Sequence, residues 1–306
     1  MTERFSRRQV LKLGVVAPAA VALAARLGPA AAAATTSALP SVVPSRKKGV
    51  GVATGAPDAA ERVQAMNPVW YYTWAADGIV GLEGVEFVPM VWGGTTATVE
   101  TQIAAVRALG PGRQPIVLGP NEPDNKGQSD MAVSEVLDVW PEIRSLAALT
   151  VAPAPVNPFD SWYTEFVQEA AAAGLHYDYV AVHNYPGADA AGFLQTIDQV
   201  YATYGLPIWI TEFAVADWNA TPQNPNIYSA EDVLAFMMAV LPELERRPYV
   251  ARYAWFGAGP AAATNVKLAP SALFDSSGSI TELGEYYAAF GTAAASPVQA
   301  GGAGWR

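Results

Sequence analysis

The stretch "PIVLGPNEPD", residues 115–124, carries a strand-like apolar run into Asn121–Glu122 and breaks at Pro123. A second stretch, "PIWITEFAV" (207–215), sets Glu212 into an apolar segment in the same way. An ionised carboxylate costs free energy away from water. Each therefore needs a strand that opens into a cleft at the point where the carboxylate falls. One architecture supplies such openings repeatedly: the (β/α)₈ barrel, whose functional side chains stand at the C-terminal ends of its strands.

Working outward from these two runs, six more β-rich segments appear: "GVGVATG" (49–55), "VWYYTW" (69–74), "EFVPMVWG" (86–93), "LTVAPAP" (149–155), "YVAVHNY" (179–185) and "RYAWF" (252–256). Most are joined by stretches with helical spacing. Val133, Val136, Leu137, Trp140, Ile143 and Ala147 share one helix face, with Asp130 as the expected N-cap; Val99, Ile103 and Val106 mark another face, ended by Gly110 and Pro111. Ser229 and Asp232 form a capping-box pattern ahead of "VLAFMMAVL", where Met237 and Met238 read as core filling. Eight strand-like runs with helical connections predict a single α/β domain, a (β/α)₈ TIM barrel over residues 49–290. A doubly wound open sheet is the rival. The glycines of "GVGVATG" resemble a dinucleotide loop, but their spacing is one residue too long for that fingerprint.

Composition narrows the function. The 306 residues are 51% hydrophobic and 15% charged, with no cysteine and two histidines, His176 and His183. Thiolate sites and disulfides are excluded, and a histidine-based metal cluster has little to work with. A formal charge of −10 argues against nucleic acid. The nine Trp and thirteen Tyr suit amphipathic ligands. At the N-terminus, "SRRQVLKLG" sets Arg7 and Arg8 ahead of an apolar, Ala-rich stretch. Residues 1–34 therefore read as a twin-arginine export signal rather than a membrane anchor, because Pro18 and Arg26 interrupt a short apolar part. Residues 35–48, ending in "RKK", read as a linker and residues 291–306 as a loose tail. The expected mature protein is an acidic, secreted monomer with no stable membrane anchor.

On a barrel, the strand ends bring Asn121, Glu122 and Glu212 to one mouth, with Trp74, Trp92, His183, Asn184, Tyr185 and Trp255–Phe256. Two carboxylates facing one cleft are what glycosidic bond cleavage uses, one protonated and donating to the leaving oxygen, the other ionised and facing the anomeric carbon. The two environments must hold their pKa values apart, burial serving the acid and hydrogen bonds the base. Plainer readings stand beside this one. Glu122 could occupy a solvated turn, Glu212 could pair with Arg252, His183 could be a core histidine, and Trp74 and Trp92 could be packing. His176 falls at the opposite rim, and Asp124 and Asp217 read as loop charges. A carbohydrate-binding barrel without turnover is a competing function. A serine esterase is disfavoured, since no G-x-S-x-G elbow occurs.

The motifs "GPNEPD", "VHNY", "WITEFA" and "YAWF" together resemble glycoside hydrolase family 128, within the clan of retaining (β/α)₈ glycosidases, over roughly residues 49–290. The resemblance implies cleavage of β-1,3-glucan, mostly in endo fashion, without metal or organic cofactor. A glycosidase of the same clan acting on another β-glycan is the alternative. It also implies Glu122 as acid/base, Glu212 as nucleophile and Asn121 as holder of the substrate 2-hydroxyl. His183, Asn184 and Tyr185 would bond sugar or carboxylate, and Trp74, Trp92 and Trp255 would stack on sugars.

Overall fold

A computed structural model describes residues 44–56, 58–110 and 115–292. The export signal and most of the expected linker and tail lie outside these. In chain order the elements are β1 (Lys48–Gly51), α1 (Ala59–Ala65), β2 (Trp70–Tyr72), β3 (Glu86–Phe87), α2 (Thr96–Ala108), β4 (Ile116–Leu118), α3 (Val133–Arg144), β5 (Leu149–Val151) and α4 (Ser161–Ala172). They continue with β6 (Val180–Asn184), α5 (Ala190–Tyr204), β7 (Ile208–Phe213), α6 (Ala230–Arg246), β8 (Val250–Trp255), α7 (Pro260–Thr264) and α8 (Glu282–Ala289).

All strand pairings are parallel. Six strands run in the order β3-β2-β1-β8-β7-β6, and β4 pairs with β5. Single parallel bridges span the two seams, Met90 with Leu118 and Val151 with Tyr179. The strands thus follow chain order around a ring, as the sequence predicts for a barrel. The twofold side-chain period of a strand divides the apolar residues into two layers. Trp70, Tyr72, Val88, Met90, Ile116, Leu118, Ala181, Trp209 and Ala254 pack together inside the ring. Val50, Tyr71, Val117, Val182, Ile210, Phe213, Tyr253 and Trp255 instead pack with helix residues such as Phe193 and Phe236.

The glycines of β1 serve this interior. A Cβ on Gly49 would lie 2.1 Å from the Trp70 ring, and one on Gly51 2.8 Å from the Trp74 ring. They make room for tryptophans, which accounts for the loop-like glycine pattern without a nucleotide. Polar side chains cap the helices where they leave the C-terminal ends of the strands. Asp160 accepts from Tyr163 N, Asp189 from Gly192 N, and Ser229 with Asp232 forms the expected capping box on α6; each such cap is worth about 1 kcal/mol. Asp130 does not cap α3. Its φ is 45°, and the amide of Ala132 is instead bound by Glu135 at 2.8 Å.

The linker boundary moves as well. Residues 45–48 are docked onto the barrel. Lys47 Nζ donates to the carbonyls of Leu244, Glu245 and Arg247, at the end of α6. Lys48 Nζ donates to those of Tyr287, Ala288 and Phe290, at the end of α8. Ammonium groups at helix C-termini meet orphaned carbonyls and the negative end of the helix dipole. Among the described residues, no helix is long and apolar enough to cross a membrane.

Candidate active site

Four strands supply the centre of the site. Beyond β4 the chain stays extended, with Asn121 bridged to Ala154, and then turns at Glu122 with φ 42°. That left-handed conformation is uncommon for a side chain of this size, and such strain gathers at functional sites. Trp74, beyond β2, shares it with φ 57°. On β7, strict alternation would turn Glu212 outward with Ile210. The register shifts between Ile210 and Phe213, and this irregularity re-aims Glu212 into the barrel.

The two glutamates meet over His183. His183 Nδ1 lies 3.0 Å from Glu122 Oε1 and 3.5 Å from Glu212 Oε2. One ligand-type atom from each of the three residues lies within 4.8 Å of the others. Among the described residues no other group of three has this make-up, and within it the 3.0 Å contact of His183 with Glu122 is a hydrogen bond. Glu212 Oε1 accepts from Trp74 Nε1 at 2.6 Å and Tyr72 OH at 3.4 Å, and its Oε2 accepts from Tyr185 OH at 2.5 Å. Glu122 Oε2 accepts from Asn125 Nδ2 at 2.9 Å. Asn121 is buried; its Nδ2 donates to Gln128 Oε1 at 3.3 Å and its Oδ1 has no partner.

Titration differs from the expectation of a burial-raised acid. Burial alone pushes the Glu122 carboxyl up, but the hydrogen bond and charge of His183, with Asn125, outweigh it and hold Glu122 below its ordinary value. Burial pushes His183 down, yet the charges of Glu212, Glu122 and Asp124 reverse this and leave it raised. Tyr72 and Tyr185 are pushed far up by burial and then by Glu212, so both phenols remain donors.

The cleft above has a volume of about 780 Å³ and is lined by Trp74, Trp92, Asn121, Glu122, Tyr185 and Glu212 among others. Trp255 is not among them. It is fully buried, donates Nε1 to Ser271 O at 2.9 Å and packs edge-on against Phe213. Its place is taken by Phe256, one residue on and therefore on the other face of the strand. Asn184 lines a smaller neighbouring cavity of about 250 Å³, shared with His183, Tyr185 and Trp218. Arg252 pairs with Glu86 at 2.7 Å, not with Glu212. His176 is exposed ahead of β6. The sequence reading missed Tyr72, Asn125, Gln128 and the cleft-lining Trp218. Asn125 carried a signal, three residues past Glu122 in a polar turn; Tyr72 looked like any strand aromatic.

Fold and paired carboxylates define the class: this is a glycoside hydrolase. The chain belongs to the family described as glycosyl hydrolase catalytic core, which it matches over residues 49–287, and the resemblance to glycoside hydrolase family 128 is borne out by solved structures. A subgroup I endo-β-1,3-glucanase of that family from Amycolatopsis mediterranei, solved as a glutamate-substituted mutant with laminarihexaose, is 32% identical with a TM-score of 0.67, covering 79% of this chain and 98% of the other. A subgroup V exo-β-1,3-glucanase from Cryptococcus neoformans is 26% identical with a TM-score of 0.62, covering 80% and 99%. Alkali-sensitive linkage protein 1 of Schizosaccharomyces pombe is 30% identical over 226 residues, 71% of this chain. The chain spans only 39% of that relative.

Proposed function

We propose that the protein is an exported, retaining endo-β-1,3-glucanase working as a monomer, with Glu122 as acid/base and Glu212 as nucleophile. The observation that supports the mechanism is the closeness of the two carboxylates, one oxygen of each lying within 4.8 Å of the other. Retaining glycosidases hold their carboxyl groups about 5–5.5 Å apart, while inverting ones leave a wider gap for water.

In the first half-reaction Glu212 attacks the anomeric carbon as the C1–O bond breaks, and Glu122 gives its proton to the departing oxygen. Water, deprotonated by Glu122, then releases the sugar from Glu212. Three donors, from Trp74, Tyr72 and Tyr185, orient the attacking carboxylate. Asn121, which lines the cleft, holds the hydroxyl next to the reacting carbon. Trp74, Trp92, Phe256 and Trp218 offer ring faces to sugars on either side. The linkage follows the activities of the two family 128 relatives, and export follows the paired arginines Arg7 and Arg8.

Incubation with laminarin and a panel of β-glucans of other linkages, followed by early-time NMR of the products, tests this. Mixed laminari-oligosaccharides with the β-anomer first are expected. Release of glucose alone would replace endo by exo action, an initial α-anomer would replace retention by inversion, and turnover confined to another linkage would replace the substrate.

A further inference from the structure

Among the described residues, His183 is an ionisable base whose Nδ1 touches both glutamates. Glu122 reaches it from the turn after β4, with Asp124 two residues further on, and Glu212 reaches it from β7. Tyr185 on its own strand and Tyr72 on β2 both donate toward Glu212. The wall of the smaller cavity beside it consists of Val156, Asn157, Pro158, Thr196 and Trp218, which brings no further charge. The imidazole is 2% exposed as a residue and its Nε2 has no partner. Bulk water therefore does little to screen it.

We propose that the proton Glu122 delivers to the leaving oxygen is shared with His183 Nδ1 across their 3.0 Å contact, so that the pair, rather than a lone carboxyl, is the acid of this enzyme. The proposal rests on the glycosidase reading given above. In this scheme the proton of the empty site starts on His183 Nδ1, facing Glu122 Oε1. Moving it to Glu122 Oε1 leaves neutral His183, creates the acid and breaks no covalent bond other than N–H. Glu122 then passes it to the glycosidic oxygen while Glu212 bonds to C1. Glu212 loses its cationic neighbour as it attacks, and the positive charge developing on the sugar takes over as its counter-ion. In the second half-reaction the proton taken from water returns by the same contact. The lowered Glu122 and raised His183 follow from this sharing: each group titrates in the field of the other, and the observed steps belong to the pair.

Because the active state needs that shared proton, the alkaline limb of kcat/KM reports the pair and lies above the range of an isolated carboxyl. His183→Gln keeps a hydrogen-bonding side chain and removes the titration. Its alkaline limb should fall by about one pH unit or more, to that of a lone carboxyl raised by its own burial. An alkaline limb that stays in place overturns the proposal. An NMR titration of the empty protein gives a second readout, independent of turnover and of whether His183→Gln folds. The chain has two histidines, and His176→Asn assigns the spectrum. The His183 pKa should drop in Glu122→Gln by about one unit or more, since the nearest carboxylate is gone. An unchanged His183 would refute the sharing. If laminarin is not turned over at all, the glucanase reading fails while the titration still decides this one.

Discussion

Replacing Trp74 by Phe isolates one bond to the proposed nucleophile. The ring stays, so most of the contact with Tyr72 and Phe256 survives. The backbone strain also stays, because Phe at φ 57° is as disfavoured as Trp. What disappears is the N–H donated to Glu212 Oε1 over 2.6 Å. A hydrogen bond to a charged group in a partly dry site is worth about 1.5–3 kcal/mol. The remaining donor to that oxygen, Tyr72 OH, is 3.4 Å away and already bonded to Thr211 O at 2.9 Å, so it compensates little. If the bond serves to aim the carboxylate, its loss appears in the transition state. At about 1.4 kcal/mol per decade, kcat/KM on laminarin should fall about 10–100-fold. The assay is initial-rate kinetics on laminarin and laminarihexaose, with thermal unfolding to exclude a folding defect. A double cycle with Tyr185→Phe should be non-additive, because both donors hold one carboxylate. A kcat/KM within threefold of the parent would show that Trp74 does not organise Glu212. A raised KM with unchanged kcat would reduce it to a sugar platform.

Three further outcomes are expected. Glu122→Gln should lose activity on laminarin far more than on an aryl glycoside with an activated leaving group, in steady-state assays of both; equal losses would reverse the roles. Phe256→Ala should raise KM for laminari-oligosaccharides about tenfold with little change in melting temperature, whereas Trp255→Ala should cost about 3–5 kcal/mol of stability in urea unfolding; the opposite pattern would return Trp255 to the cleft. Lys48 is lowered to about 8 by burial, against 10.5 for the free side chain. The unfolded chain thus binds the proton more tightly, so burying the charged form costs stability below pH 8. That cost is relieved as pH rises through the window to 10.5, by about 3 kcal/mol in all. The difference in unfolding free energy between Lys48→Met and the parent, measured at pH 7 and pH 10, should shift in the parent's favour; a constant difference would refute it.

The barrel and its two carboxylates were legible because each rests on a contrast along the chain: an apolar run, then a charged residue at the point where a strand must end. Side-chain facing was less so. Simple alternation would have turned Glu212 away from the cleft, and only the register shift between Ile210 and Phe213 brings it in. On β8 the register shifts near its start, and beyond that "AWF" offers two aromatics in a row and does not say which faces inward; Ala254, packed inside, decides for Phe256. Lys47 and Lys48 read as linker because cations next to a polar segment look solvated. Their partners are carbonyls almost 200 and 240 residues away, a kind of pairing that leaves no trace in local composition. Glu122 showed its position but not its titration, which His183 governs from another strand.

Those two lysines have a consequence for how the molecule comes to exist. β1 emerges early from the ribosome, yet one of its two strand neighbours is β8, and its first residue is tied down by the last turn of α8. Until that final helix is synthesised, the opening strand has half its edge bare and an ammonium group facing no carbonyls. Translation must therefore run nearly to completion before the ring can lock. A nascent chain stalled before residue 282 would lack the helix end that holds the first residue of β1 and closes the ring.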